Sequence, residues 1–385
     1  MTTMPHIPDA EFQQRADRTR QAMQSAGLDL LLAFSTESEP AHVRYYADYW
    51  PSFETTAVLI PLEKPTALLI GPETRTYATA RSKIPQIFQL KDFRESSQPD
   101  YPGSKLPDWR DIIGEYQPRR IGIAGWHMFP HTMMENLRVA AGAAEIVNAD
   151  EVVRSVTLAK TENELNCMRR AAKISELGFK AILENIKVGM TEVQLAGIAT
   201  AAMLANGAEA TGYPIWCCSG PNSIQAISRP SHRKVQASEI IHFSVGAKVA
   251  GYSGSVGRPV VLGQCPPETK KFMQVGLDAM NMTIDLMRAG TLASTVATKV
   301  HGWIRDQGYG HTILYGPAHA SGQMECEFPF LETSSTYTLT ENMVFMVDMF
   351  LAEKHQGFRW EDGVIIKNGP AEELSNYKRQ INIIN

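Results

Sequence analysis

The sequence predicts an α/β domain followed by an α+β domain. Short apolar runs alternate with helical segments up to residue 153, the pattern of an α/β layer structure. Beyond that point, two capping boxes open helices, Thr161 with Glu164 and Thr191 with Gln194. Later strand candidates sit beside paired helices, which suits an antiparallel sheet. At 385 residues the chain is long enough for two cores. The expected domains are 1–153 and 154–385.

The first helix is expected from Asp9 as N-cap, with Phe12, Ala16, Thr19 and Met23 on one face and Gly27 as its stop. Strands are expected at Leu28–Phe34, Thr56–Ile60 and Thr66–Ile70, the last two flanking a turn. A helix near Thr74–Lys83, a strand at Gln86–Leu90, a helix near Asp108–Tyr116 and the strand Arg120–Ala124 complete this half. In the second half, helices run from the two capping boxes to about Asn185 and Asn206. Strands are expected at Ile215–Cys218, Ile240–Val245 and Gly257–Leu262. Helices follow from Pro266–Pro267 to Met287 and over Leu292–Gln307, then strands at Met343–Phe350 and Gly363–Ile366.

Charged residues make up 20% and the net charge is −4, so nothing draws in nucleic acid or an anionic membrane. No apolar run is long enough to span a bilayer. The N-terminus lacks a basic region followed by an apolar stretch, which argues against a signal peptide. Five cysteines without CxxC spacing suit reduced thiols, and a cytoplasmic location is expected.

Seven stretches, in order, resemble one family. They are VRYYADYW (43–50), VRSVTLAKTENELNCMRRAAKI (153–174), SGPNS (219–223), GAKVAGYSGSVGRP (246–259), GPAHASGQMECEFP (316–329), and the pair ENMVFMVDMF (341–350) and FRWEDGVII (358–366). Together they resemble the creatinase/prolidase/aminopeptidase P superfamily. That resemblance implies a pita-bread C-terminal domain behind a creatinase-like N-terminal domain, and a homodimer whose active site lies near the partner's N-terminal domain. The superfamily's metallopeptidases hold two metals with Asp, Asp, His, Glu and Glu. The matching positions here read Ser244, Ser255, His319, Asp348 and Glu361. Serine is a poor ligand for hard cations beside a carboxylate.

The expectation is therefore a metal-independent, creatinase-like hydrolase of a C–N bond in a small polar compound, with no cofactor. Creatinase's own acid/base positions match Ile227 and Gly257, so creatine itself is not the expected substrate. The alternatives are an Xaa-Pro-type peptidase or lyase using one metal, and a non-catalytic binding member. Catalytic roles are expected for His319, Glu361, Asp348 and Glu327, since imidazole and paired carboxylates move protons. Arg229 and Arg359 would bind a substrate carboxylate, with His232, Glu325, Ser244 and Ser255 as further substrate contacts. In strand-like geometry Glu325 and Glu327 would point the same way. Cys217 or Cys218 could act as a nucleophile only beside a base. Tyr45, Tyr46, Tyr49 and Trp50 would form either a pocket wall or core.

Overall fold

The computed structural model describes residues 4–384. The chain divides into two compact units, Ile7–Leu158 and a second that runs from Ala159 onward and also takes in residues 4–6.

The first unit is a mixed six-stranded sheet. Its strands are β1 (Leu30–Ser35), β2 (Thr56–Pro61), β3 (Ala67–Ile70), β4 (Ile87–Gln89), β5 (Arg120–Ala124) and β6 (Glu145–Asn148), in the order β4-β3-β2-β1-β5-β6. The apolar runs are continuous because both faces are covered. Leu31, Ala33, Val58, Ile60, Leu68 and Ile70 enter one core, while Leu30, Leu32, Phe34, Leu59 and Leu69 enter the other. The opening helix, Asp9–Ala26, ends at Gly27 with φ 66° as expected, but Pro8 rather than Asp9 takes the N-cap position. Three helices escaped the sequence reading: Ala41–Ala47, His131–Ala141 and Asp150–Thr157. Tyr45, Tyr46 and Tyr49 are core residues.

The second unit is built on a large, mainly antiparallel sheet. Its strands are β7 (Ala210–Thr211), β8 (Trp216–Ser219), β9 (Ile240–Val249), β10 (Tyr252–Leu262), β11 (Ala318–Ala320), β12 (Glu327–Leu331), β13 (Val344–Glu353), β14 (Gln356–Ile365), β15 (Glu372–Glu373) and β16 (Asn382–Ile384). The main path is β12-β11-β13-β14-β10-β9-β7, with β8 on β9, β15 on β14 and β16 on β10. Both predicted capping boxes form, starting the helices Glu162–Asn185 and Glu192–Ala205.

Alternation splits β10 and β14 into a helix-covered face and a site face. On the covered face, Ser175 in the first of these helices donates to the Gly254 carbonyl at 2.7 Å. A Cβ on Gly254 would lie 2.5 Å from the Ala172 nitrogen, so only glycine allows this approach. Trp360 donates to the Met273 carbonyl of the helix Pro267–Leu286 at 3.0 Å on the same side. Ser255, Gly257, Arg359 and Glu361 therefore lie on the other face, together.

Candidate active site

One row of directly paired residues crosses the sheet. Trp216 on β8 pairs with Ser244 on β9, Ser244 with Gly257 on β10, Gly257 with Glu361 on β14, and Glu361 with Asp348 on β13. Direct partners in antiparallel strands share a face, so the sheet register itself collects these side chains. His319 enters from β11, which pairs with β13 beside Asp348.

Glu361 is 1% exposed, and its carboxylate reaches across β10. One oxygen accepts from Ser244 and the other from Ser255, both in short hydrogen bonds. Ser244 is in turn bonded to the Tyr213 hydroxyl. Ser255 also donates to Glu325 at 3.5 Å, and Glu325 lies 3.8 Å from His319 Nε2.

Asp348 forms the second cluster. It pairs with Arg359 in a short ion pair and accepts from the Tyr315 hydroxyl at 2.9 Å. Its Oδ1 is buried without a hydrogen-bond partner. The Arg359 guanidinium stacks on Trp216, 4.4 Å from the ring centroid, and donates to the Ala226 carbonyl.

Burial sets the protonation of these groups. Burial, with the charge of Asp348, pushes Glu325 up to about 7. Burial and the charge of Glu325 push Glu361 up to about 7, against Arg359 and the two serines. Burial also raises Asp348, opposed by Arg359. Burial would lower His319, but Cys326, Asp348 and the Ala320 carbonyl outweigh it and lift it to about 9. The site thus holds two buried carboxyl groups, bridged by Ser255 and both raised above their usual range, beside an imidazole that its neighbours hold above its own.

The structure brings together His319, Glu325, Asp348, Arg359, Glu361, Ser244 and Ser255. It places three sequence candidates elsewhere. Glu327 accepts from the Met324 backbone N–H at 3.0 Å and lies 3.3 Å from Lys160 Nζ. Residues 322–326 form a turn rather than a strand, so Glu325 and Glu327 diverge instead of pointing the same way. Arg229 and His232 are exposed in the loop between β8 and β9. Arg359 does reach the site, but its guanidinium is held by Asp348 and Ala226. Burial raises the Cys217 thiol well above its usual range and Cys218 to about 11, so neither is a thiolate near neutrality. Tyr213 and Tyr315 were missed because they lie outside the regular strands, where no periodicity flags them.

The donors do not fit a metal pair as they stand. Both Glu361 oxygens are occupied by serine hydroxyls, and Asp348 is tied to a guanidinium. Among the described residues, no group of three or more His, Cys, Asp or Glu side chains is arranged to hold a metal ion.

Residues 166–368 match metallopeptidase family M24, and residues 15–156 match the creatinase/prolidase N-terminal domain. The chain belongs to the M24 family. An Xaa-Pro dipeptidase of Pyrococcus furiosus is 23% identical over 77% of this chain and 85% of its own length. A creatinase of a Bacillus species is 21% identical over 97% of this chain and 92% of its own. The solved X-Pro aminopeptidase of Thermotoga maritima superposes with a TM-score of 0.84, at 22% identity over 96% of this chain and 99% of its own.

These matches confirm the expected fold. They overturn the expected metal-independent, creatinase-like hydrolase, because the C-terminal match is to a metallopeptidase family and the more similar relatives are named Xaa-Pro dipeptidases. Among the described residues, no helix is long and apolar enough to cross a membrane.

Proposed function

We propose that this chain is an Xaa-Pro-type peptidase, acting on the amide bond before a proline in a short peptide. It is a hydrolase of C–N bonds, as its family and relatives are. The observation that carries the reading is the Glu325/Glu361 pair, two buried carboxyl groups that both accept from Ser255 and that burial raises above their usual range. Amide hydrolysis needs a base to take a proton from water and an acid to give one to the leaving nitrogen. An amide nitrogen, prolyl or otherwise, leaves as an amine only once it has gained a proton, since the unprotonated group would depart as an amide anion. One ionised and one protonated carboxyl group supply both roles. Cationic His319 beside them would stabilise the oxyanion that forms at the carbonyl.

Ser244 and Ser255 stand, on this reading, where the family's metallopeptidases carry two aspartates. They bind Glu361 directly instead. A homodimer in the cytoplasm completes the reading and rests on the family resemblance and thiol usage alone; sedimentation of the purified protein tests the dimer.

The test is an assay of purified protein against Xaa-Pro dipeptides and matched Xaa-Ala dipeptides, run with and without added Mn²⁺. Cleavage of the prolyl series is expected, with Glu361→Gln reducing kcat by about 100-fold or more and KM little changed. A folded wild-type protein that cleaves no Xaa-Pro peptide under either condition overturns the proposal.

A further inference from the structure

We propose that the place the family's metal pair would take is, in this chain, a site for an organic cation: the protonated α-amino group of a peptide, anchored on Asp348 Oδ1. The Asp348 carboxylate is used on one side only. Arg359 and the Tyr315 hydroxyl both lie on Oδ2. Asp348 is buried, and its Oδ1 has no hydrogen-bond partner. Arg359 Nε is also buried and unpartnered, so it does not reach that oxygen. The other donors of the site face are engaged. Ser244 and Ser255 donate to Glu361, His319 Nδ1 lies 3.1 Å from the Ala320 carbonyl, and the Arg359 terminal nitrogens hold Asp348 Oδ2 and the Ala226 carbonyl. Glu325 is thinly served as well: among the described residues its one hydrogen-bond donor is Ser255, at 3.5 Å. Leaving a buried carboxylate oxygen unpaired costs more than an ordinary hydrogen bond gains, so Oδ1 calls for a donor from outside the chain.

A divalent cation needs several anionic oxygens at once. Here both Glu361 oxygens and Asp348 Oδ2 are occupied, and Asp348 Oδ1 and Glu325 are what remains open. That is too little for a dication. It suits an ammonium group, whose three N–H donors form charge-assisted bonds to carboxylates. The position also fits the reaction. Asp348 and Glu361 are direct strand partners, so their Cα atoms lie about 5 Å apart. In a peptide a single α-carbon separates the N-terminal amine from the first carbonyl carbon. An amine held at Asp348 therefore sets the first amide bond beside Glu361. The favoured substrates are then peptides with a free N-terminus, and an N-acylated peptide, which lacks the cation, is not held.

This inference rests on the peptidase reading for the identity of the amine, so its test uses ligands that hold no amide bond to cleave at that position. Calorimetry of the wild-type protein compares leucinol, the amino alcohol of leucine, with N-acetyl-leucinol and with the same alcohol lacking nitrogen. It is run in buffer with a chelator and again with added Mn²⁺. Leucinol is expected to bind at least about 10-fold more tightly than either analogue, with no gain from Mn²⁺. Asp348→Asn is expected to remove that preference. A crystal structure of the wild-type complex is expected to put the leucinol nitrogen within hydrogen-bond distance of Asp348 Oδ1, which covers the case that Asp348→Asn does not fold. Equal binding of the three ligands, no binding of leucinol, binding that needs Mn²⁺, or an ordered water alone at Oδ1 in the complex overturns the inference. The peptidase reading fails separately. Leucinol bound at Asp348 without any cleavage of Xaa-Pro peptides removes that reading and leaves the cation site. Cleavage of N-acetyl-Leu-Pro as fast as Leu-Pro removes the cation site and leaves the reading.

Discussion

Gly257 and Glu361 face each other on paired strands, and a Cβ on Gly257 would lie 2.6 Å from the Glu361 Cβ. The missing side chain is what lets the Glu361 carboxylate cross β10 to Ser244 and Ser255. Gly257→Ala is therefore expected to push Glu361 out of that hydroxyl clamp. Because the neighbour is a rigidly paired strand residue, the clash should cost about 1–3 kcal/mol in urea unfolding. The same variant should lose about 10-fold or more in kcat/KM, by displacing a reacting group. Unchanged stability and unchanged activity together would show that Glu361 does not depend on the open space at 257.

The raised Glu325 and Glu361 pKa values make stability depend on pH. A carboxyl group held at about 7 in the fold, against an ordinary value near 4.5, prefers to be protonated in the folded state. Its favourable contribution is complete below about 4.5 and is lost as pH rises through 7. Wild-type protein should therefore lose stability between pH 6 and pH 8, by about 1–3 kcal/mol for the coupled pair. The double variant Glu325→Gln/Glu361→Gln should lack that loss. Chemical unfolding of both proteins at pH 6, 7 and 8 reads the difference, and parallel pH profiles would refute the proton-sharing pair.

Much of this was legible in the sequence, and the gaps have physical causes. Thr161 and Thr191 announced their helices because a capping box is a local device that needs no tertiary partner. The apolar pattern alone placed strand β14 only from Gly363, whereas it begins at Gln356. Its early residues include Arg359 and Glu361, polar side chains turned toward the site, and they break the apolar pattern that marks a strand. Asp348 and Glu361 fall in the two stretches that the resemblance takes as a pair, and they are direct partners on β13 and β14. Glu325 and Glu327 could not be separated by sequence, because two-residue alternation fails in the turn 322–326. The Arg359–Asp348 pair joins residues whose candidacy was visible but whose mutual commitment was not. Nothing in the spacing says that a guanidinium will neutralise one carboxylate and leave the other pair to share a proton.

The two serine hydroxyls stabilise the ionised form of Glu361, since each lowers its pKa. Ser244→Ala and Ser255→Ala should each raise the acid limb of kcat/KM by about half a pH unit, and the double variant by more. Replacing both serines with aspartate tests the other side of the same position. Ser244→Asp/Ser255→Asp would add two carboxylates beside Glu325, Asp348 and Glu361. Their repulsion is relieved by a divalent cation. Titration calorimetry with Mn²⁺ should show affinity at least about 10-fold above wild type. An unchanged affinity would mean that these positions do not face a common cation site.

Arg359 and Asp348 are 3% and 4% exposed, so each depends on the other for charge compensation. Removing one partner leaves a buried charge unpaired, which typically costs about 3–5 kcal/mol. Arg359→Met should therefore be severely destabilised. Asp348→Asn should be less so, because Arg359 keeps the Ala226 carbonyl and its stacking on Trp216. The double variant Arg359→Met/Asp348→Asn removes both charges and should recover much of the loss, with a coupling energy of at least about 2 kcal/mol. Activity should not recover with stability, because Glu361 loses the positive charge that favours its ionised form. The acid limb of any residual activity should lie above that of wild type. Additive stability effects would place the pair among weakly coupled surface ions and contradict its burial, whereas restored activity would show that Arg359 tunes no reacting group.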